Sequence, residues 1–169
     1  MKQICLTLLV IYAAAFNLAC PQKSAIRRAN EASYQLAGSI NDAQKAVEQA
    51  FNQHIIGTDS AIRLNGYLKT ANDGSIRLTQ AVETLRQIYS DPAQIPRTKL
   101  DALNLILSEQ IITPVLRILD ELKIVGADKA PALFAALGAV KTLIVVIAAA
   151  FPGHSNAVSE LNRRNFIYV

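Results

Sequence analysis

Tryptophan is absent, methionine occurs once, and only two cysteines and two histidines are spread over 169 residues: Cys5, Cys20, His54 and His154. Both cysteines fall within the first twenty residues, so the rest of the chain must hold together without a disulfide, by packing its own apolar side chains. Neither histidine has a cysteine, aspartate or glutamate at ligand spacing on one helix face, so no metal and no other cofactor is expected. Charge is also scarce, at 18% of residues against 51% apolar, a balance that excludes intrinsic disorder.

The net charge of +4 has no focus, because Arg27-Arg28 and Arg163-Arg164 are the only adjacent basic pairs. A nucleic-acid surface needs a basic face with stacking aromatics, and neither is present, so no nucleic-acid partner is expected. Weak attraction to anionic phospholipid is compatible with the charge. Catalytic patterns are missing too: there is no glycine-rich phosphate loop, no nucleophile elbow and no inward Glu-x-x-His pair. Asp120-Glu121 is the only adjacent acidic pair, and consecutive helical residues point about 100° apart, so it reads as a charged outer face. The chain is not expected to be an enzyme.

The first residues carry an address. Met1-Lys2-Gln3 is a short positive start, Ile4 to Ala15 is an apolar run of signal-sequence length, and polar Pro21-Gln22-Lys23-Ser24 follows. A membrane span needs about 20 apolar residues, and Asn17 and Pro21 cut this run short. Its end reads Asn17-Leu18-Ala19-Cys20. That segment resembles the lipobox of bacterial lipoproteins, with Ala19 and Cys20 in the family's pattern, Asn17 where it prefers Leu, and Leu18 where it prefers a small residue.

The resemblance implies a signal peptide over 1–19, a lipid on Cys20, a tether over 20–23, and a helical domain over 24–169 held by that lipid to the periplasmic face or the outer membrane of a bacterial envelope. The competing reading is ordinary cleavage after Ala15 or Ala19, giving a soluble secreted protein with a free thiol. Lipidation removes that liability and is preferred.

After the leader, about 150 residues suffice for one domain. Ile26, Ala29, Ser33, Leu36, Ile40, Ala43, Val47 and Ala50 recur at alternating spacings of three and four, which predicts a helix (A) with one apolar seam. His54 would continue that seam, half-buried, and Gly57 would end the segment, with Thr58 or Asp59 capping the next helix. Helix B, about Thr58 to Tyr89, repeats the pattern through Ala61, Leu64, Leu68, Ala71, Ser75, Leu78, Val82, Leu85 and Tyr89. Asn72-Asp73-Gly74 has turn composition, yet the seam passes through it in phase, so B is read as continuous.

Asp91 to Pro96 is a loop, and Thr98 to Asp101 resembles a capping box opening helix C, whose seam is Leu103, Leu107, Ile111, Val115, Ile118 and Leu122, with Pro114 bending it. Helix D opens at Asp128 and Pro131 and runs to Phe151, and a last helix covers Ser155 to Arg164. A and B would each be roughly 45–50 Å long at 1.5 Å per residue. Matched lengths and short connections predict an all-α fold, an antiparallel up-down four-helix bundle of long helices with a short C-terminal helix.

Ala132 to Phe151 is apolar on nearly every side, with Lys141 and Thr142 its only polar members. In one reading D is the central helix, enclosed by A, B and C, with Lys141 snorkelling outward. In the other D enters a bilayer, where a mid-helix Lys141 costs about 2.5–3.5 kcal/mol and the large apolar residues roughly offset it. The first is preferred, because the other seams need an apolar partner.

The expected function is that of a non-catalytic, membrane-tethered helical-bundle protein of the envelope with a structural or protein-interaction role, its partners being membrane lipid, through lipidated Cys20, and an envelope protein. The alternatives are a membrane-active protein inserting 132–151, of pore-forming or immunity type, and a small-molecule carrier with a gap at Pro114. The tail Phe166 to Val169 is read as a strap packed on the bundle, and His154 as a turn residue.

Overall fold

A computed structural model of the chain describes residues 24–123, 125–126, 128–151 and 155–163. The leader, Cys20, His154 and the tail from Arg164 to Val169 lie outside the described residues. The described residues form five helices and no strand.

Helix α1 spans Ala25–Asn52, and the Ser24 side chain accepts a hydrogen bond from the Arg27 N–H at 3.3 Å, satisfying one of the free donors of the first turn. Every member of the expected seam is buried, joined by Asn30, Ala32 and Ala46. Its end differs from the expectation. His54 lies outside the helix, exposed, in the left-handed region with φ 58°. Its N–H donates to the Phe51 carbonyl, and the Ile55 N–H donates to the Ala50 carbonyl, each at 2.9 Å. These two bonds are a Schellman motif, with histidine where glycine is commonest. The chain therefore turns at His54 rather than Gly57.

Helix α2 spans Thr58–Ile88, unbroken through Asn72-Asp73-Gly74, with its seam buried from Ala61 to Leu85; Tyr89, expected as its last member, is instead the half-buried C-cap in extended backbone. Neither Thr58 nor Asp59 caps it: Gly57 is the N-cap without a side-chain bond, and Asp59 sits in the first turn, where the helix dipole favours a carboxylate. After a 3-10 turn at Pro92–Gln94, secured by Asp91 accepting from the Ala93 N–H, helix α3 runs over Arg97–Leu122. Pro96 starts it, so the expected cap at Thr98 lies inside the first turn, and Asp101 pairs with Arg97 at 3.1 Å instead.

The middle of α3, Ile106–Ile112, is a π-helix, in which the Thr113 N–H reaches back to the Ser108 carbonyl. Pro114 supplies the physical reason. It has no N–H to offer the Gln110 carbonyl, and its ring crowds that carbonyl in an α-helix; a wider turn relieves both.

Helix α4 spans Pro131–Ala150, with Ala130 and not Asp128 as N-cap, and helix α5 spans Ser155–Arg163. Helix α1 packs along α2 on one side and α4 on the other, α2 packs along α3, and α5 touches the π segment of α3 and α4, with Leu161 fully buried. Helix α4 is therefore not enclosed by the other three. Its Leu133, Leu137, Val140, Ile144 and Ile147 face is buried, and its opposite face is open. That opposite face is mostly alanine, whose exposure costs little, so a helix apolar all round need not be covered all round.

One glycine position is decided by packing. A Cβ at Gly74 would lie 2.8 Å from the Gln110 carbonyl oxygen and 2.8 Å from the Gln110 Cβ. The π segment of α3 thus approaches α2 backbone to backbone, and only a residue without a side chain fits between.

Candidate functional site

Two surfaces stand out. The first is the outward face of α4, where Ala132, Ala135, Ala139, Thr142, Val146 and Ala149 are exposed at alternating spacings of three and four. None is charged, and the Thr142 hydroxyl is already donating to the Gly138 carbonyl at 3.0 Å. The outward face of α3, by contrast, carries Arg97, Lys99, Asp101, Glu109, Arg117 and Asp120. Lys141, the residue singled out for membrane insertion, is half-buried on the flank between the two faces of α4 and is engaged within the molecule. By length and composition both α3 and α4 are apolar enough to cross a membrane, but only 28% of α4's most apolar stretch is buried, against 44% for α3.

The second is a groove of about 490 Å³ between α1 and α2, lined by Tyr34, Ala37, Ile76, Thr79, Gln80, Glu83 and Thr84. Glu83 accepts from Arg86 at 2.6 and 3.0 Å and from Gln87 at 3.2 Å. The Arg86 guanidinium, helped by Gln87, holds its carboxyl down at about 2. A carboxylate so committed is a poor proton donor or acceptor near neutrality, which removes the one acidic lining residue as a general base. The groove is an apolar trough with a neutralised rim. Beside it, the buried Asn30 Oδ1 has no hydrogen-bond partner among the described residues.

The other candidates disperse. Glu121 does not face outward as expected: it grips Arg63 of α2 in a bidentate pair, both bonds at 3.0 Å, while Asp120 pairs with Lys123 at 2.7 Å. The Glu121 hydrogen bonds hold the Arg63 guanidinium above its ordinary pKa. The pair thus ties two helices and offers nothing to a substrate. His54 caps a helix. Pro114 is buried and opens no gap on the α2 side, since the adjoining turn presses against Gly74. Among the described residues no three His, Cys, Asp or Glu side chains gather to hold a metal ion. No protein-family model, curated protein or solved structure matches the chain.

The α4 surface escaped the sequence reading because an apolar residue there looks the same whether it is buried or open. Its signal was residue size: the buried face is Leu, Val, Ile and Phe, and the open face is Ala, Thr and one Val.

Proposed function

We propose that this chain is a non-catalytic, lipid-tethered helical protein of the bacterial envelope, anchored through Cys20 and presenting the outward face of α4 to an envelope protein. In this reading α1 to α4 form an up-down four-helix arrangement and α5 closes it against α3 and α4. The charge-free open face of α4 carries the reading. A face of small side chains lets another helix approach closely, and such a surface about 30 Å long, at 1.5 Å per residue, is a natural seat for a protein partner. The start of α1 at Ala25, capped by Ser24, agrees with it: the helical domain begins as soon as the tether ends.

Growth with a labelled fatty acid tests the anchor. Label is expected on the wild-type protein and none on Cys20→Ser, which should also move from the membrane to the soluble fraction. Equal membrane retention of the two would end the reading.

The open face of α4 also supports a second reading, in which α4 leaves α1 and enters a bilayer. Dye release from liposomes separates the two: the second reading requires leakage, increased by Lys141→Leu, because the charge is the main cost of insertion.

A further inference from the structure

The lipid-anchor reading leads to a directional consequence, and the inference here rests on it. We propose that the domain stands end-on to the bilayer, with the end formed by the start of α1, the α2–α3 turn and the last turn of α4 seated on anionic phospholipid.

The three pieces of that end are brought together by packing. Tyr34 of α1 lines one groove with Glu83 and Thr84 of α2, which sets the end of α2 at Ile88 level with the start of α1. Ala25 and Arg28 line one cavity with Val146, Ala149 and Ala150 of α4. Lys99, at the start of α3, lines another with Ile88 and Tyr89. From Cys20 to Ser24 the chain makes four Cα steps, which span at most about 15 Å. Helices α1 and α2, of 28 and 31 residues, are about 42 and 46 Å long. A lipid on Cys20 therefore keeps the α1 start beside the headgroups, while the opposite end lies beyond the tether's reach.

The chemistry of the near end suits that contact. Ile88 projects into solvent at 65% exposure beside half-buried Tyr89, and Val146 is exposed next to Ala25 and Arg28. Three of its cations are balanced within the protein, Arg27 by Glu31, Arg86 by Glu83 and Arg97 by Asp101. Among the described residues of this end Arg28 and Lys99 remain, two positive charges against the one negative charge of Asp91. At the far end Arg63 and Lys123 are balanced by Glu121 and Asp120, leaving Glu48, Asp59 and Asp128 against Arg117 and Lys129 among the described residues. The near end is thus the positive one, as an anionic surface requires. Exposed apolar residues alone do not choose between the ends, since Phe51 and Ile62 lie at the far one. The tether and the charge do.

Ile62 is also 65% exposed and sits 26 residues before Ile88 on the same helix, about 39 Å away at 1.5 Å per residue. It is a matched control. The mature, lipidated protein carries no free thiol under this reading, so Ile88→Cys, Ile62→Cys and Ala139→Cys each give one label site on an exposed position. With a fluorophore there and vesicles of phosphatidylethanolamine and phosphatidylglycerol bearing nitroxide lipids, quenching should be several-fold stronger at 88 than at 62 or 139. Adding Arg28→Glu and Lys99→Glu should reduce it at 88 without changing fatty-acid incorporation.

Equal quenching at 88 and 62 overturns the orientation and leaves the anchor standing. Strongest quenching at 139 overturns it in favour of α4 lying flat on the bilayer. Unchanged quenching at 88 in the charge variant overturns the assignment of Arg28 and Lys99 to headgroups. A reactive second thiol at Cys20, with no fatty acid incorporated, overturns the anchor itself and this inference with it.

Discussion

A methyl group at position 74 would sit 2.8 Å from a backbone oxygen that cannot rotate away. In an exposed helix, replacing glycine with alanine gains about 1 kcal/mol. Here the overlap forces α2 and α3 apart, and overpacking of that kind costs about 1–3 kcal/mol. Gly74→Ala is therefore expected to lower the midpoint of thermal unfolding, while Gly66→Ala, where nothing lies within 4 Å of the added carbon, raises it. Equal gains at both sites would show that the helices are not in contact at Gly74. Glu83 carries a pH dependence whose sign is fixed by its lowered pKa. Its carboxyl falls from 4.5 to about 2 in the folded protein, chiefly through Arg86. The stabilisation is therefore present above about pH 4.5 and is lost as the pH falls toward 2. Glu83→Gln should flatten the acid side of the stability profile in that window, measured by denaturant unfolding at stepped pH, and added salt should shrink the difference because the pair is solvent-accessible.

At the scale of elements, α4 has two faces that substitution should separate. Ile144 is fully buried against the core, so Ile144→Ala should cost about 2–5 kcal/mol through the cavity it leaves. Ala139 is exposed on the outward face, so Ala139→Lys should change folding stability by no more than about 0.5 kcal/mol. The same Ala139→Lys should abolish capture of the protein partner, read by cross-linking in intact cells; retained capture would move the docking surface elsewhere. Helices α1 and α2 were legible residue by residue, because strict alternation of three and four keeps a seam on one face of an α-helix. Helix α3 was legible only in part. Its seam runs Leu103, Leu107, Ile111, Val115, three spacings of four in succession, which would drift by roughly 120° around a regular α-helix. The π segment returns those residues to one side, and all four are buried. That run of fours, together with Pro114, is the sequence mark of a π turn rather than of a simple bend. The expected cap at Thr98 failed for a local reason: Pro96 already supplies a helix start, and the threonine falls past it.

For the molecule as a whole, α5 decides whether there is one cooperative unit or a core with an appendage. Leu161 is fully buried, and α5 bridges the π segment of α3 and α4, two elements that are not consecutive in packing. Leu161→Ala should destabilise the entire domain by about 2–4 kcal/mol and keep a single unfolding transition, followed by circular dichroism. A separate early transition would make α5 an appendage. The proposed bilayer-facing polarity belongs to this scale too, since no single charge creates it. It arises because most ion pairs cancel locally, and the few left over differ in sign between the two ends.

Helical class, the extents of α1, α2 and α4, and the core residues that lie on the seams were set by the sequence alone, because hydrophobic periodicity is a local property and the chain carries it in phase for dozens of residues; core residues off the seams, such as Ile56, Ile95, Leu119 and Leu161, were not. Tertiary structure alone decided that α4 lies at the side of α1 with one face open, that Gly74 marks a backbone contact, that Glu121 serves Arg63, and which residues share an end with the start of α1. Each of these depends on which helices become neighbours. A seam specifies that a face must be covered, but an apolar face fits many others, so the pattern does not name its partner.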